Sequence, residues 1–285
     1  MKMIPRLFLL FCFASIVSTP GRSQNPNFND YSVVNRNFSV VAYGALPTTA
    51  NKPSTLSTNN AAICGAYNAA VTNGGGRILF PPGNYYFSVN FPQGCYGLPY
   101  NTQTSVYSVS DVEKVSVEGA GEKQSTLWFN GTGDAFHVYG PNNTETEISL
   151  SISDLTLEGN TSAGNGINLE GVAKIQLNHV TVDSFPNDGL RLNSVQYMKV
   201  ENSHFSANKN WGVELVSGYV STSGVQTNTV LFLDSDFISN GSSSAVTTGG
   251  VTNEGAREIT FIKCTFQANY NYGVLDTNTA GGAWF

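Results

Sequence analysis

The residues best suited to acid–base chemistry lie close together in the second half of the chain. Asp183 and Asp188 precede Arg191, and Glu214 follows further on. Carboxyl groups near one another acquire different pKa values, so that one can donate a proton while another accepts one. We therefore predict a catalytic site formed by Asp183, Asp188, Arg191 and Glu214. Asn187-Asp188-Gly189 is also an ordinary turn sequence, which gives Asp188 an alternative, structural interpretation.

A second acidic pair, Asp234 and Asp236, is separated by a single residue. Side chains two apart in a strand point the same way, so this pair would be placed to bind calcium or to shift the pKa of one of its members. The alternative is that both carboxylates are simply solvated. No Cys-x-x-Cys pair or His-rich spacing in the sequence indicates a zinc site.

An internal repeat indicates which elements position these residues. The segments Phe205–Val213 and Phe266–Val274 are identical at six of nine positions, and Val182–Leu190 is a weaker copy. Each unit of about 23 to 32 residues holds short apolar runs separated by turn residues, without a helical pattern. Units of this kind predict a coil of parallel strands, in which each turn buries its apolar side chains by stacking on the next.

Stacked turns place equivalent residues in columns. An apolar column is expected inside the coil, formed by Val182, Phe205, Phe237 and Phe266. A column of hydrogen-bonded asparagine amides is expected at one corner, formed by Asn187, Asn210 and Asn271. Glycines at a tight turn are expected beside it, at Gly189, Gly212 and Gly273.

The N-terminal part of the chain can cover the open end of such a coil. Asn59–Thr72 is predicted to be a helix, with Asn60 as its cap. Gly74–Ser88 then predicts a strand, a corner and a second strand, because Pro81-Pro82-Gly83 cannot continue a strand. Repeat folds need terminal caps, so this helix is predicted to be one.

Composition and the N-terminus limit the function classes. The formal net charge of −6 and the lack of any Lys/Arg cluster exclude a basic face for nucleic acid. Lys2 and Arg6 precede a short apolar run, which is the pattern of a secretory signal peptide. Residues 1–24 are therefore expected to be removed, and residues 25–285 to form one exported domain. The apolar run is too short for a membrane span, which needs roughly 20 residues.

Removal of the signal peptide would leave Cys64, Cys95 and Cys264. Three cysteines in an exported protein allow one disulfide and one thiol. We favour a bond between Cys64 and Cys95, with Cys264 in a strand, and the alternative is three unpaired cysteines.

The N-terminal region also resembles a known family. Phe38–Ala45 (FSVVAYGA), the predicted helix and Gly74–Ser88 (GGGRILFPPGNYYFS) resemble the signature of the pectate-lyase-superfamily domain, which occurs in rhamnogalacturonase- and polygalacturonase-like proteins. The resemblance implies an all-β fold, a single-stranded right-handed parallel β-helix with an N-terminal capping helix. Residues 38–90 would form the cap and first turns, and residues 145–278 the regular turns.

The resemblance also implies an activity. It is that of a secreted protein which cleaves acidic, pectin-like polysaccharide by β-elimination or by glycosidic hydrolysis, with Ca²⁺ as a cofactor if it is a lyase. Asn187-Asp188-Gly189 resembles the Asn-x-Asp-Gly element of polygalacturonase-like glycosidases. The other elements of those enzymes, Asp-Asp, Gly-His-Gly and Arg-x-Lys, are missing. Their absence favours the alternative, a non-catalytic polysaccharide-binding or adhesive surface protein.

Four residues near the repeat corners are predicted to bind the polysaccharide. Trp211 and Tyr272 occupy the same corner of two turns, with Lys209 and Tyr270 beside them. Exposed aromatic rings stack on sugar rings through their apolar faces. The alternative is that these aromatic side chains cover the edges of turns.

Overall fold

The computed structural model describes residues 36–48, 53–96, 114–140, 146–216, 226–245, 247–278 and 283–284. They form a right-handed parallel β-helix, in which successive turns of the chain add strands to three faces. The predicted fold class is confirmed. The predicted signal peptide, residues 1–24, lies outside the described residues.

The three faces are named sheets 1, 2 and 3. Sheet 1 consists of β1 (Asn37–Ser39), β2 (Gly76–Phe80), β5 (Val115–Gly119), β8 (Thr146–Glu158), β10 (Val172–Asp183), β12 (Gln196–Glu201), β15 (Asn228–Leu233), β18 (Arg257–Ile262) and β21 (Ala283–Trp284). Sheet 2 consists of β3 (Gly83–Phe87), β6 (Ser125–Phe129), the C-terminal parts of β8 and β10, β13 (His204–Ser206), β16 (Asp236–Ile238) and β19 (Thr265–Gln267). Sheet 3 consists of β4 (Phe91–Pro92), β7 (Phe136–Tyr139), β9 (Ile167–Glu170), β11 (Leu190–Asn193), β14 (Trp211–Leu215), β17 (Gly249–Asn253) and β20 (Tyr272–Asp276).

Parallel pairing stacks equivalent residues inside the coil. Val182 pairs with Phe205, Phe205 with Phe237, and Phe237 with Phe266. The rings of Phe205 and Phe237 lie 5.5 Å apart with only 9° between their planes. Val182, Phe205 and Phe237 are fully buried, so their apolar surface is removed from water. The predicted apolar column is therefore confirmed.

A single residue in the left-handed conformation bends each turn from sheet 1 into sheet 2. Asn202, Asp234 and Lys263 occupy this corner, with φ of 48°, 47° and 52°. Asp234 is therefore not a strand neighbour of Asp236. Asp234 lies 3.8 Å from Lys263, whereas Asp236 contacts His204 at 3.0 Å. The expectation that the two carboxylates form one like-facing pair is wrong.

The asparagine column is present, but it is formed by other residues than predicted. Asn208, Asn240 and Asn269 form it, with side-chain bonds of 3.0 Å from Asn208 to Asn240 and 3.1 Å from Asn240 to Asn269. Asn210 instead donates to Asp188, so its predicted place in the column is wrong. Asn187 and Asn271 are likewise not members.

The local backbone explains the difference. The residue before Asn208, Ala207, has a φ of 52°, and this left-handed step lets the Asn208 side chain turn back into the coil. There its amide donates to the carbonyl of Val182 and is completely buried. A strict in–out alternation cannot anticipate such a step.

The glycine column is confirmed beside this corner. A methyl group on Gly189 would lie 2.7 Å from the carbonyl oxygen of Gly212. The same group on Gly212 would lie 2.7 Å from the oxygen of Gly250. Only glycine therefore allows the turns to approach this closely.

The helix α1 (Leu56–Thr72) covers the N-terminal end of the coil. Its buried side, which includes Ile63 and Tyr67, faces the first turns, and the Tyr67 ring lies 5.2 Å from that of Phe91. The prediction of a capping helix is confirmed, but Asn60 lies within the helix and does not cap it. The Asn60 side chain instead accepts a hydrogen bond of 2.8 Å from the backbone of Ser88.

A disulfide between Cys64 and Cys95 joins this helix to the 3₁₀ helix Gln93–Tyr96, as predicted. Cys264 is a free cysteine in the turn between β18 and β19, so its predicted place in a strand is wrong.

The disulfide is expected to be a main source of stability at the capped end. The double variant Cys64→Ser/Cys95→Ser should lose about 3 to 4 kcal/mol of unfolding free energy, because the bond closes a loop of intermediate length. Urea denaturation measures this loss. The variant Cys264→Ser serves as the control and should lose less than about 1 kcal/mol. Equal losses in both variants would contradict the assignment.

Candidate functional site on sheet 3

The outward side of sheet 3 carries a row of polar side chains on successive turns. His137 of β7 pairs with Asn168 of β9, Asn168 with Arg191 of β11, and Arg191 with Glu214 of β14. Their neighbours along the strands are apolar and buried, as the period of two requires. The group formed by His137, Asn168, Glu170, Asp188, Arg191 and Glu214 is called the sheet 3 site.

Arg191 is the centre of this site. Its Nε donates to Glu214 Oε2 at 2.9 Å, and its Nη1 lies 3.6 Å from Glu170 Oε1. Both carboxylates are 17% exposed and the arginine 27%. The two acids therefore lie on either side of one guanidinium, and both remain in reach of a ligand.

The surroundings of Glu170 favour its ionised form. Burial alone would raise its pKa, but the nearby His137 imidazole, the hydrogen bond from Asn168 and the charge of Arg191 lower the pKa overall. The Asn168 amide donates to Glu170 at 2.8 Å and to Asp134 at 2.8 Å, which fixes its orientation. Glu170 is thus held in its deprotonated form, which is the form that a general base needs.

The surroundings of Asp188 instead favour its protonated form. It is 3% exposed, and burial, followed by the nearby charge of Glu214, raises its pKa well above the ordinary value. Hydrogen bonds from the Trp211 backbone, at 3.1 Å, and from Asn210, at 2.7 Å, oppose this shift only in part. Asp188 and Glu214 therefore form a pair that retains a proton where an isolated aspartate has lost it.

The structural interpretation of Asp188 also holds. At this corner a side-chain oxygen accepts the backbone N–H of the residue one turn further on. Asp134 accepts from Asn165, Asn165 from Asp188, and Asp188 from Trp211. Asp188 is therefore one member of a corner ladder as well as a neighbour of Glu214.

The raised pKa of Asp188 predicts how the stability of the fold depends on pH. The folded state keeps a proton that the unfolded chain loses above about pH 4, so this group makes the fold less stable as pH rises. Asp188→Asn retains an oxygen acceptor and cannot ionise. The difference in melting temperature between this variant and the wild type should therefore shift in favour of the variant as the pH rises above about 4. The variant of an exposed residue, Glu254→Gln, should show no such trend. If the melting temperatures of Asp188→Asn and of the wild type changed with pH in parallel, the assignment would be contradicted.

The structure brings Asp188, Arg191 and Glu214 together but places Asp183 elsewhere. Asp183 ends β10 and faces outward on sheet 2, in register with Glu158 and Ser206. The turn at residues 184–189 then carries the chain to another face of the coil. The expectation that Asp183 shares a site with the other three residues is therefore wrong.

The predicted aromatic corner is only partly available to a ligand. Trp211 is 4% exposed, and its ring lies 6.4 Å from that of Tyr272. The interpretation of Trp211 as an exposed stacking surface is therefore wrong, and it covers the edge of a turn. Tyr270, Tyr272 and Lys209 are exposed, as a binding role requires.

Sequence reasoning missed His137, Asn168 and Glu170. The imidazole of His137 lies 3.6 Å from Glu170. A signal was nevertheless present, because Gly166 begins the same pattern as Gly189 and Gly212. The second residue after each of these glycines, Asn168, Arg191 and Glu214, points outward.

The calcium that the resemblance implied for a lyase does not fit the residues present. No group of three or more His, Cys, Asp or Glu side chains within the described ranges converges on a point where a metal ion could bind. At the sheet 3 site both glutamates are instead occupied by Arg191. Among all the residues that the structure describes, no helix is long and apolar enough to cross a membrane.

Solved structures with similar folds come from several classes of protein. ORF18 of Geobacillus virus E2 has a TM-score of 0.59 at 15% identity, covering 83% of this chain and 43% of that chain. The surface adhesin PfbA of Streptococcus pneumoniae has a TM-score of 0.54 at 16% identity, covering 81% and 57%. The A-module of mannuronan C-5 epimerase AlgE6 from Azotobacter vinelandii has a TM-score of 0.47 at 18% identity, covering 79% and 62%. This chain thus spans about half the length of these proteins, and the likeness shows the fold alone.

No curated protein matches the sequence. A family model described as "Right handed beta helix region" matches residues 113–285. That match covers more than half of the chain and agrees with the parallel pairing of every turn it includes. The protein therefore belongs to the right-handed β-helix family, with the pectate-lyase-like architecture that its N-terminal region resembles.

Proposed function

We propose that the protein hydrolyses a glycosidic bond of a polysaccharide that lies across sheet 3. The observation that carries this proposal is the pair of carboxyl groups on either side of Arg191, of which one favours ionisation and the other adjoins a retained proton. Hydrolysis needs such a pair, a carboxylic acid for the leaving oxygen and a carboxylate to activate water.

The roles follow from exposure and protonation. Asp188 is buried, so the proton it shares with Glu214 reaches a ligand through the more exposed Glu214, which acts as the acid. Glu170 acts as the base. The contacts of 2.9 and 3.6 Å to Arg191 limit the distance between the two carboxylates to about 9 Å, compatible with the roughly 6.5–9.5 Å of inverting glycosidases.

The charge of the site favours hydrolysis over β-elimination. Elimination on a uronate requires a cation that stabilises the developing negative charge. Arg191 is already paired with both Glu170 and Glu214, so these three groups offer no surplus positive charge. We therefore propose an uncharged sugar at the cleavage point, rather than the pectin-like substrate that the resemblance implied.

The proposed place of action is outside the cytoplasm. The disulfide between Cys64 and Cys95 is of the kind that persists in oxidising compartments. The signal-peptide pattern at residues 1–24 supports the same proposal.

A substrate panel tests the proposed reaction. The purified chain is incubated with neutral glucans, xylan and mannan, and with polygalacturonate in the presence and absence of calcium. Reducing ends and unsaturated uronate are measured together. Reducing ends from a neutral polymer, with inverted anomeric configuration in ¹H NMR, are expected. Unsaturated uronate as the main product would overturn the proposed reaction in favour of a lyase.

One observation favours a binding protein instead. Each of the three carboxyl groups already has a protein hydrogen-bond or ion-pair partner, as in a purely structural ladder. Retention of the chain on an insoluble polysaccharide without release of any reducing end would support this second function.

A further inference from the structure

Sheet 2 carries a second row of outward side chains, on a different face of the coil from the sheet 3 site. Tyr86 pairs with Trp128, Trp128 with Glu158, Glu158 with Asp183, and Asp183 with Ser206. This group of five is called the sheet 2 row. The residues that alternate with them, such as Leu157 and Val182, are buried in the core. An aromatic pair and an acid pair therefore lie side by side on one face of the coil.

Among the described residues, no lysine or arginine forms an ion pair with the two acids of this row, Glu158 and Asp183. Ser184 and Ser206 donate hydrogen bonds to Asp183. Burial, followed by the charge and hydrogen bond of Asp183, raises the pKa of Glu158 to about 7. The pair therefore retains one proton at mildly acidic pH and offers both a donor and acceptors.

The aromatic pair lies directly beside the acids. Tyr86 and Trp128 are stacked with ring centroids 5.8 Å apart and 14° between their planes. Tyr86 is 3% exposed, so Trp128 is the ring that a ligand can reach. Its Nε1 is buried and has no hydrogen-bond partner within the described ranges. Such an unsatisfied donor is costly in a fold that otherwise pairs its polar groups.

A depression lies beside this row, at the corner where the strands of sheet 2 end. It has a volume of about 640 Å³ and is lined by polar residues that directly follow β3, β6 and β8, including Ser88, Asn130, Thr132, Asn160 and Ser162. These loop amides and hydroxyls lie within a few residues of Trp128 and Glu158. The depression therefore extends the polar surface beside the aromatic ring.

The neighbouring row supplies the other titratable groups of this face. His204 Nδ1 lies 3.0 Å from Asp236, and its Nε2 lies 3.9 Å from Glu122. Thr181 donates to Glu122 at 3.3 Å. The face has no surplus of positive charge, so it does not favour an anionic ligand.

We propose that the sheet 2 row is a second binding site, one that takes an uncharged oligosaccharide. Trp128 stacks on a sugar ring, the Glu158–Asp183 pair holds sugar hydroxyls, and the adjacent depression receives the next sugar unit. Aromatic stacking combined with a few planar polar groups is the chemistry by which proteins recognise uncharged sugars. A metal ion is not favoured as the occupant, because fewer than three ligands converge in the described residues.

Binding measurements on a chain with an inactivated sheet 3 site test this proposal independently of cleavage. Cellohexaose, xylohexaose and mannohexaose are titrated into Glu214→Gln by calorimetry. At least one is expected to bind, and adding Trp128→Leu or Glu158→Gln/Asp183→Asn should weaken its binding by about tenfold or more. Gln267→Ala, exposed in the same column two turns further on, should leave affinity unchanged.

The pH dependence gives a second readout that a loss of folding would not mimic. Affinity should fall as pH rises through about 7, where the pair loses its shared proton, and Glu158→Gln should show no such fall. No binding of any of the three probes, or equal binding by the sheet 2 variants, would overturn the proposal.

Discussion

Replacing Arg191 by methionine should lower kcat/KM for polysaccharide cleavage by about 100-fold or more. The guanidinium holds Glu214 at 2.9 Å and Glu170 at 3.6 Å, so its loss releases both carboxylates and leaves them without a cation. The acid and the base would then lose their mutual position, which is the main contribution of a rigid site to the rate.

The Arg191→Met result needs a control for the loss of an ion pair as such. Arg77→Met removes an arginine that lies 3.7 Å from Glu118 on sheet 1, and it should leave cleavage unchanged. Arg191→Lys keeps the charge but not the forked donor geometry, so it should recover only part of the activity. Activity in Arg191→Met equal to that of Arg77→Met would contradict the assignment of the site.

Asn240→Ala should destabilise the coil by about 3 to 5 kcal/mol. Asn240 is completely buried, accepts from the backbone and amide of Asn208, and donates to Phe205 and Asn269. Its removal leaves several buried polar groups without partners, each of which costs about 1 to 3 kcal/mol. Urea denaturation with an unchanged m-value measures the loss.

Asn271→Gly is the matched control for this effect. Asn271 belongs to the same repeat pattern but is exposed, and its φ of 57° suits glycine. The control should cost less than about 1 kcal/mol. A larger loss of unfolding free energy for Asn271→Gly than for Asn240→Ala would contradict the observed column. It would favour the column of Asn187, Asn210 and Asn271 that the sequence pattern alone predicted.

The predictions of an apolar column and a glycine column were confirmed. The repeat copies placed Phe205 and Phe266 in one column, with Phe237 between them. The same logic located the glycines, because a close approach of two backbones excludes any side chain. The same steric and apolar requirements apply in successive turns. The residue types that meet them therefore recur in the sequence at intervals of one turn.

The predictions that failed depended on corners. Asn208 and Asn210 are both asparagines of one repeat, and only the left-handed step at Ala207 decides which one turns inward. Asp183 and Asp188 are close in sequence, but the turn between them separates two faces of the coil. Trp211 is covered because Tyr272, more than one turn away, packs against it. The types of neighbouring residues in the sequence do not predict these contacts, because the contacts form only when the turns are stacked.

His137 and Glu170 show why the site itself was only partly predicted. Each is unremarkable in its own segment, and the two meet because β7 and β9 are in register. Burial, together with the charge of Asp183 one turn away, likewise raises the pKa of Glu158. On this fold, side chains that lie about one repeat apart in the sequence meet along the axis of the coil and together form a site.

The most direct test of the sheet 3 site compares initial rates of reducing-end release by Glu170→Gln, Glu214→Gln and Glu201→Gln on the best polymer of the panel. Glu201 is the matched control, since it is a partly buried glutamate that pairs with Lys199 on sheet 1. We expect losses of about 100-fold or more for Glu170→Gln and Glu214→Gln, wild-type rates for Glu201→Gln, and similar melting temperatures throughout. Wild-type rates in both sheet 3 variants would contradict the account.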